Sequence, residues 1–309
     1  MKHFFSQVSE LPADSSSLNM DGYFRSENAT GLVEQQLGPE RTAVLLVASG
    51  SPCAAYVLEN GENKSIPLAE FVISNSGTSH ARAIKLPDIA GRLTWLALES
   101  QKDKQYSING DKEWETQLGQ WKQDQWSGLI EVSAKTMHGY AVCWQGEIQK
   151  TDAIFSTSQG FISDLPHVDS ESPWEATTYS YKPSSQAYQC AILRHAAMHW
   201  SCQLLGRYQE MVGQKLLQTM DRELNRQVKP WRWNILFDES NMSDAHFFPY
   251  LMDAAYAYRD LFMTMGAQMS FVIGNNLTQR LLNESFEQIH PDERTILQSQ
   301  RLIPAAFSE

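Results

Sequence analysis

Four cysteines in 309 residues (Cys53, Cys143, Cys190 and Cys202) are too few to staple a scaffold. Each lies in an apolar segment, where a reduced core thiol is the ordinary occupant. No stretch approaches the roughly eighteen apolar residues that a membrane-spanning helix needs. The opening residues, Met1 to Ser6, lack the apolar run of a signal peptide. These two absences make a cytoplasmic protein the expectation. Positive charge is also scarce: the formal net charge is −11, with −9 over residues 1–182 and −2 over residues 183–309. A field of that sign repels phosphate backbones, and no Lys/Arg cluster offsets it, so nucleic acid is excluded as a partner.

High-specificity motifs are missing too. There is no Gly-rich phosphate loop, no dinucleotide fingerprint and no Gly-x-Ser-x-Gly elbow around Ser51, Ser79 beside His80, or Cys143. Whether the chain is an enzyme is left undecided, leaning against it; a catalytic site dispersed through the chain is one alternative reading.

What is present is a globular composition, 42% hydrophobic and 20% charged. The pattern predicts an α+β chain: a β-rich region over 1–165 with two β-hairpin repeat units, a linker over 166–184, and a mainly helical domain over 185–309. In the first region, residues 30–36 predict a short helix with Thr30 as its cap. Ala43–Val47 and Ala54–Leu58 predict paired strands, turned at Asn60–Gly61. Phe71–Ile73 and Leu93–Leu98 add two further expected strands. Residues 100–113 are polar enough for an exposed hairpin or loop, and the segment carrying Trp114 and Trp121 suits a helix docked through its indoles. A second hairpin follows from Trp126 to Glu147. Sliding the chain by 85 positions lays Thr42–Glu62 over Ser127–Glu147, matching Val47 with Val132, Val57 with Val142 and Gly61 with Gly146. Pro166, Pro173 and Pro183 mark the linker.

After the linker the period changes. From Tyr188 to Val228 an apolar residue recurs every four positions, with Gly206 and Gly213 as break points. This stripe can pair with its copy in a homodimer or be buried by the chain's own later helices. Those later helices run from about Ser243 or Pro249 to Ser270, from Gly274 onward, and from Pro291, which suits a first helical position. Residues 231–237 read as an extended crossing segment.

Two local clusters suggest binding. On a helix, His195, His199 and Cys202 fall within about 60° of one another, so two imidazoles and a thiolate can hold zinc, or one histidine a haem iron. Ala196 and Ala197 stand where a metalloprotease helix would carry its glutamate. Core packing is the plainer account, and no cofactor is expected. A ligand- or metal-binding sensor using His195 and His199 is therefore an alternative reading. Trp231, Arg232 and Trp233 combine side-chain types favoured in partner anchors; on a strand both indoles would share one face, which also suits a core. Glu62 and Glu147, following equivalent turn glycines, are candidate paired carboxylates.

The segments Ser127–Val132, Gly139–Ile148 and Ala153–Phe155 together resemble the PATAN-type modules of bacterial signalling proteins. In those modules a Gly-Leu-Leu-x-Val strand leads into an aromatic strand ending in Gly-x-Ile and then a small residue. Ala153 comes later here than that pattern places it. The resemblance covers residues 127–155, and more faintly 42–62. It implies a non-enzymatic signalling or interaction module, with a response regulator or small GTPase as the kind of partner. The expected function is thus a non-catalytic cytoplasmic regulatory or scaffold protein in bacterial signalling, acting by protein–protein contacts.

Overall fold

The computed structural model describes residue 5 and residues 24–71, 81–164 and 173–307. It has an α+β architecture, with two antiparallel sheets in the N-terminal half and mostly helix after them. Two compact units divide at Ala187/Tyr188.

The first unit opens with a helical turn at 24–27 and five strands: β1 (Thr30–Gly38), β2 (Arg41–Ala48), β3 (Ser51–Glu59), β4 (Glu62–Ile66) and β5 (Ala81–Leu86). They lie in the order β4-β3-β2-β1-β5, every neighbouring pair antiparallel. Next come α1 (Asp88–Glu99), β6 (Gln101–Ile108) and α2 (Asp111–Gln123). The second sheet contains β7 (Gly128–Ala134), β8 (Met137–Trp144), β9 (Glu147–Thr157), β10 (Gly160–Ile162) and β11 (Trp174–Ser180), in the order β10-β9-β8-β7-β11-β6.

Four expectations are corrected here. Residues 30–36 form a strand, not a capped helix; β1 is an interior strand buried on both faces from Thr30 to Gln35, so it lacks the alternation that marks half-buried strands. Leu93–Leu98 is helical. Every residue of α1 from Ala90 to Leu98 is buried, because the helix packs on β1 and β2 of one sheet and on β7, β8 and β9 of the other. A helix apolar all round shows no helical period. The polar segment at 101–108 is an edge strand, and its Lys102, Asp103 and Lys104 are the kind of charges that keep an edge from pairing further. Residues 174–180, inside the proline-marked stretch, form β11 between β7 and β6. The prolines flank that strand, and the seven residues between Pro173 and Tyr181 contain none. Residues 72–73 of the expected Phe71–Ile73 strand lie outside the described residues, and Phe71 itself is in no regular element.

The two sheets repeat one plan at a spacing different from 85. β1 and β7 occupy the same place, each between the next strand in sequence and the strand that closes the sheet. At a shift of 97, Gly31-Leu-Val-Glu34 falls on Gly128-Leu-Ile-Glu131. The local bonds match as well. Ala29 N donates to Phe24 O and Gly50 N to Ala29 O (2.9 and 2.8 Å); Trp126 N donates to Trp121 O and Gly146 N to Trp126 O (2.9 and 2.7 Å). The hydroxyls of Thr30 and Ser127 accept from Ser49 N and Gln145 N. An antiparallel meander looks alike when slid by one strand and its turn, and the 85-residue register overlays β2–β4 on β7–β9 for that reason.

One face of the second sheet packs on α2, where Trp114 and Trp121 meet at 5.7 Å and Trp174 lies 6.0 Å from Trp114. The opposite face meets α1, and there Arg92 is buried against Asp152 at 2.8 Å and also donates to Thr151 O.

The helical unit is built from α3 (Gln186–Val212), α4 (Gln214–Trp231), a hairpin of β12 (Ile235–Asp238) and β13 (Asn241–Asp244), α5 (Leu251–Ile273), α6 (Asn275–Gln288) and α7 (Pro291–Ser299). The long apolar stripe breaks at Gly213, whose φ of 80° suits glycine, while Gly206 stays inside α3. Trp200, Leu204, Tyr208, Leu224 and Val228 are buried in the unit's own core with residues of α5 and α6. Trp200 is the centre: it stacks on Phe262 at 4.2 Å, and its indole N–H donates to Ser285 Oγ at 3.0 Å. Ser243 lies in β13, so α5 starts later than the earliest expected point. Pro291 opens α7 as expected.

Candidate functional site

β-Strand pleating decides what the second sheet offers. Alternate residues of β7, β8 and β11 put Ile130, Val132, Ala141, Cys143 and Ala176 into the α2 core. Their neighbours Glu131, His138, Tyr140 and Tyr179 face the other way, onto a shared polar cluster. Glu131 accepts from His138 Nε2 at 2.8 Å and from the Tyr179 hydroxyl. His138 Nδ1 accepts the backbone N–H of Phe5 at 3.3 Å, so the proton of the neutral ring belongs on Nε2. Burial opposes the charge of Glu131, but the bond and charge of His138 and the Tyr179 hydroxyl outweigh it and hold the carboxyl below its usual range. Burial first, and the Glu131 charge second, push Tyr140 and Tyr179 above the ordinary tyrosine value. With both imidazole nitrogens engaged, His138 has no free lone pair for a proton from a substrate. This cluster is a fixed polar wall.

The matching glutamate of the first sheet is handled differently. Glu34 pairs with Arg82 at 3.4 Å, and Arg82 also donates to Phe5 O at 2.7 Å. Phe5 thus bonds to both halves of the repeat through its own backbone. None of these residues stood out in the sequence, because they lie on separate strands and meet only through the pleat.

In the helical unit, His195 and His199 converge on one buried carboxylate. Glu293 accepts from His195 Nε2 at 3.0 Å and from His199 Nδ1 at 2.9 Å. It also accepts from His290 N at 2.9 Å, completing a capping box at the start of α7. Burial raises its pKa, but the two imidazole hydrogen bonds prevail and lower it to about 2. His199 rises in return, chiefly through its bond to Glu293. Cys202 is outside this set; burial pushes its thiol up, against a smaller opposing effect of a backbone bond with Met242. Among the described residues no group of three or more His, Cys, Asp or Glu is arranged to hold a metal ion.

Trp231 ends α4, Arg232 adopts a left-handed conformation (φ 56°), and Trp233 follows, so the expected extended segment begins only after a helix cap. The turn lays the two indoles parallel, 5.7 Å apart and 14° from coplanar. Trp233 packs toward Phe248, while Trp231 stays 60% exposed.

The other apolar side chains left in solvent lie mainly on α5. Met252, Tyr256, Met263 and Phe271 are 80%, 65%, 52% and 90% exposed. At 100° per residue they share about 100° of arc and run some 29 Å along the axis. Arg259 sits on the same arc, but its guanidinium is turned onto the Gln300 carbonyl at 2.8 Å. Met265 and Met269, from the same Met-rich sequence, point into the core.

The remaining candidates stand apart. Cys143 is buried and its thiol is pushed up to about 12 by that burial. Ser79 and His80 lie outside the described residues, and Ser51 is an exposed residue at the start of β3. Glu147 pairs with Lys122 at 3.0 Å on the surface, whereas Glu62 borders a cleft in the first unit. No described helix is long and apolar enough to cross a membrane. No protein-family model matches the chain, and neither a curated protein nor a solved structure matches it.

Proposed function

We propose that this chain is a non-catalytic regulatory or scaffold protein that acts by protein–protein contact, with the α5 face as its contact surface. The observation that carries this reading is the stripe Met252–Tyr256–Met263–Phe271. Four large apolar side chains stand in solvent on one helix face, beside a helix whose other face is an ordinary core. Scattered exposed apolar residues are normal, but a contiguous row along a rigid element is the usual mark of a contact site. Methionine and aromatic side chains suit such a surface because they bury much area and adapt in shape. The fixed His138 and His195/His199 clusters, engaged internally, fit a role without catalysis. The resemblance of residues 127–155 to PATAN-type modules supports the assignment to bacterial signalling, with a response regulator or small GTPase as the partner class.

Affinity capture from the native host tests the proposal. The intact chain should retain a stoichiometric protein partner that the variant Phe271→Asp loses while keeping its helical circular-dichroism signal. Equal capture by both proteins, or no partner with either, would remove the α5 face from the account.

A further inference from the structure

Beside the polar face of the second sheet lies a cleft of about 710 Å³, bounded by the end of α1, the start of β6 and the β3–β4 turn. That volume is typical of a small-molecule site. Two hydroxyls in its lining are conspicuous. Tyr140 Oη and Ser100 Oγ are both buried, and neither has a hydrogen-bond partner among the described residues. Buried polar atoms are nearly always paired, and each unpaired one calls for an explanation. Glu131, immediately beside Tyr140 on the same face, is by contrast fully engaged by His138 and Tyr179. The orphan hydroxyls thus sit in an otherwise ordered wall.

The charges around them limit what they can bind. Lys102 and Lys182 line the cleft, but so do Glu62, Glu131 and Glu175, leaving no cationic surplus for a phosphate or other dianion. Much of the rest is hydroxyl and amide: Thr177, Gln105 and Asn63 among them. Tyr140 stays protonated far above neutrality and is therefore a donor at any working pH.

We propose that this cleft binds a neutral, multiply hydroxylated molecule between a monosaccharide and a nucleoside in size, with Tyr140 and Ser100 donating to its oxygens. The inference is independent of the α5 contact surface.

Calorimetric titration of the full chain with glucose, sucrose, adenosine and inorganic phosphate tests it. The first two probes represent free sugars and the third a base-linked ribose. At least one of these three should bind, and its affinity should fall about tenfold or more in Tyr140→Phe and in Ser100→Ala. Without ligand, both variants should melt at or above the wild-type temperature, since each loses only an unpaired hydroxyl. Failure of all three neutral probes, binding of phosphate alone, or unchanged affinity in both variants would overturn the proposal. A drop of several degrees in the ligand-free Tyr140→Phe midpoint would overturn it too, by showing that the hydroxyl serves the fold.

Discussion

His199 Nδ1 and Glu293 Oε2 meet at 2.9 Å, joining the middle of α3 to the first turn of α7. The carboxylate keeps its charge to about pH 2, and the imidazole is raised above its model value of 6.5.

A pH window follows from those two shifts. The raised His199 contributes fully below about pH 6.5, and its contribution is lost as pH climbs through the folded value. The lowered Glu293 contributes above about pH 4.5, and that is lost as pH falls toward 2. Their bond therefore stabilises the helical unit most between these limits. Glu293→Gln, which keeps a capping-box side chain, should cost more stability near pH 5.5 than near pH 8 in urea unfolding. An equal penalty at both would contradict the pairing.

The repeated plan predicts a graded glycine series. Gly50 and Gly146 have φ of 80° and 78°, and a Cβ would lie 2.9 Å from Phe24 O in the first case and 2.3 Å from Lys122 Cα in the second. Gly61 has φ of 82° with nothing within 4 Å. Gly61→Ala should cost about 1 kcal/mol from backbone strain alone. Gly50→Ala should cost more, and Gly146→Ala most, about 3 kcal/mol or above. Thermal unfolding ranks them, and a flat series would refute the close approach at the two matching turns.

How far the sequence itself announced this fold can be judged element by element. Asn60–Gly61 named its hairpin turn, and the four-residue apolar period named α3 and α4, because those signals are local. The central helix α1 was hidden by burial on all sides, and β1 by burial on both faces. The repeat was visible in Gly31-Leu-Val-Glu34 and Gly128-Leu-Ile-Glu131, yet the self-similar meander favoured a register one strand away. Of the binding candidates, the His195/His199 pair was legible from helical spacing, but its partner Glu293 lies 94 residues beyond His199. Glu131, His138, Tyr140 and Tyr179 left no local trace, since strand pairing alone brings them together.

Arg92 and Asp152 supply a third prediction. Both are buried and bonded at 2.8 Å between α1 and β9. Arg92→Ala leaves an unpaired buried carboxylate and should cost about 3–5 kcal/mol. Replacing both residues together, Arg92→Met with Asp152→Leu, should recover much of that loss. Chemical denaturation of the single and double variants reads it directly, and a double variant worse than the single would contradict the burial argument.

Trp200 is fully buried between Phe262 and Phe286, with its N–H bonded to Ser285. Trp200→Ala should destabilise by about 3–5 kcal/mol through cavity formation. Trp200→Phe should lose less, and the difference would be seen in the unfolding midpoint followed by near-ultraviolet circular dichroism.

Photo-crosslinking from α5 tests the contact surface most directly. A photoreactive amino acid placed at Phe271 or Tyr256, and at the exposed Arg226 on α4 as a control, would be activated in the native host. The account predicts a discrete, heavier protein adduct from positions 271 and 256 and none from 226. No adduct from α5, or the same adducts from all three positions, would contradict it.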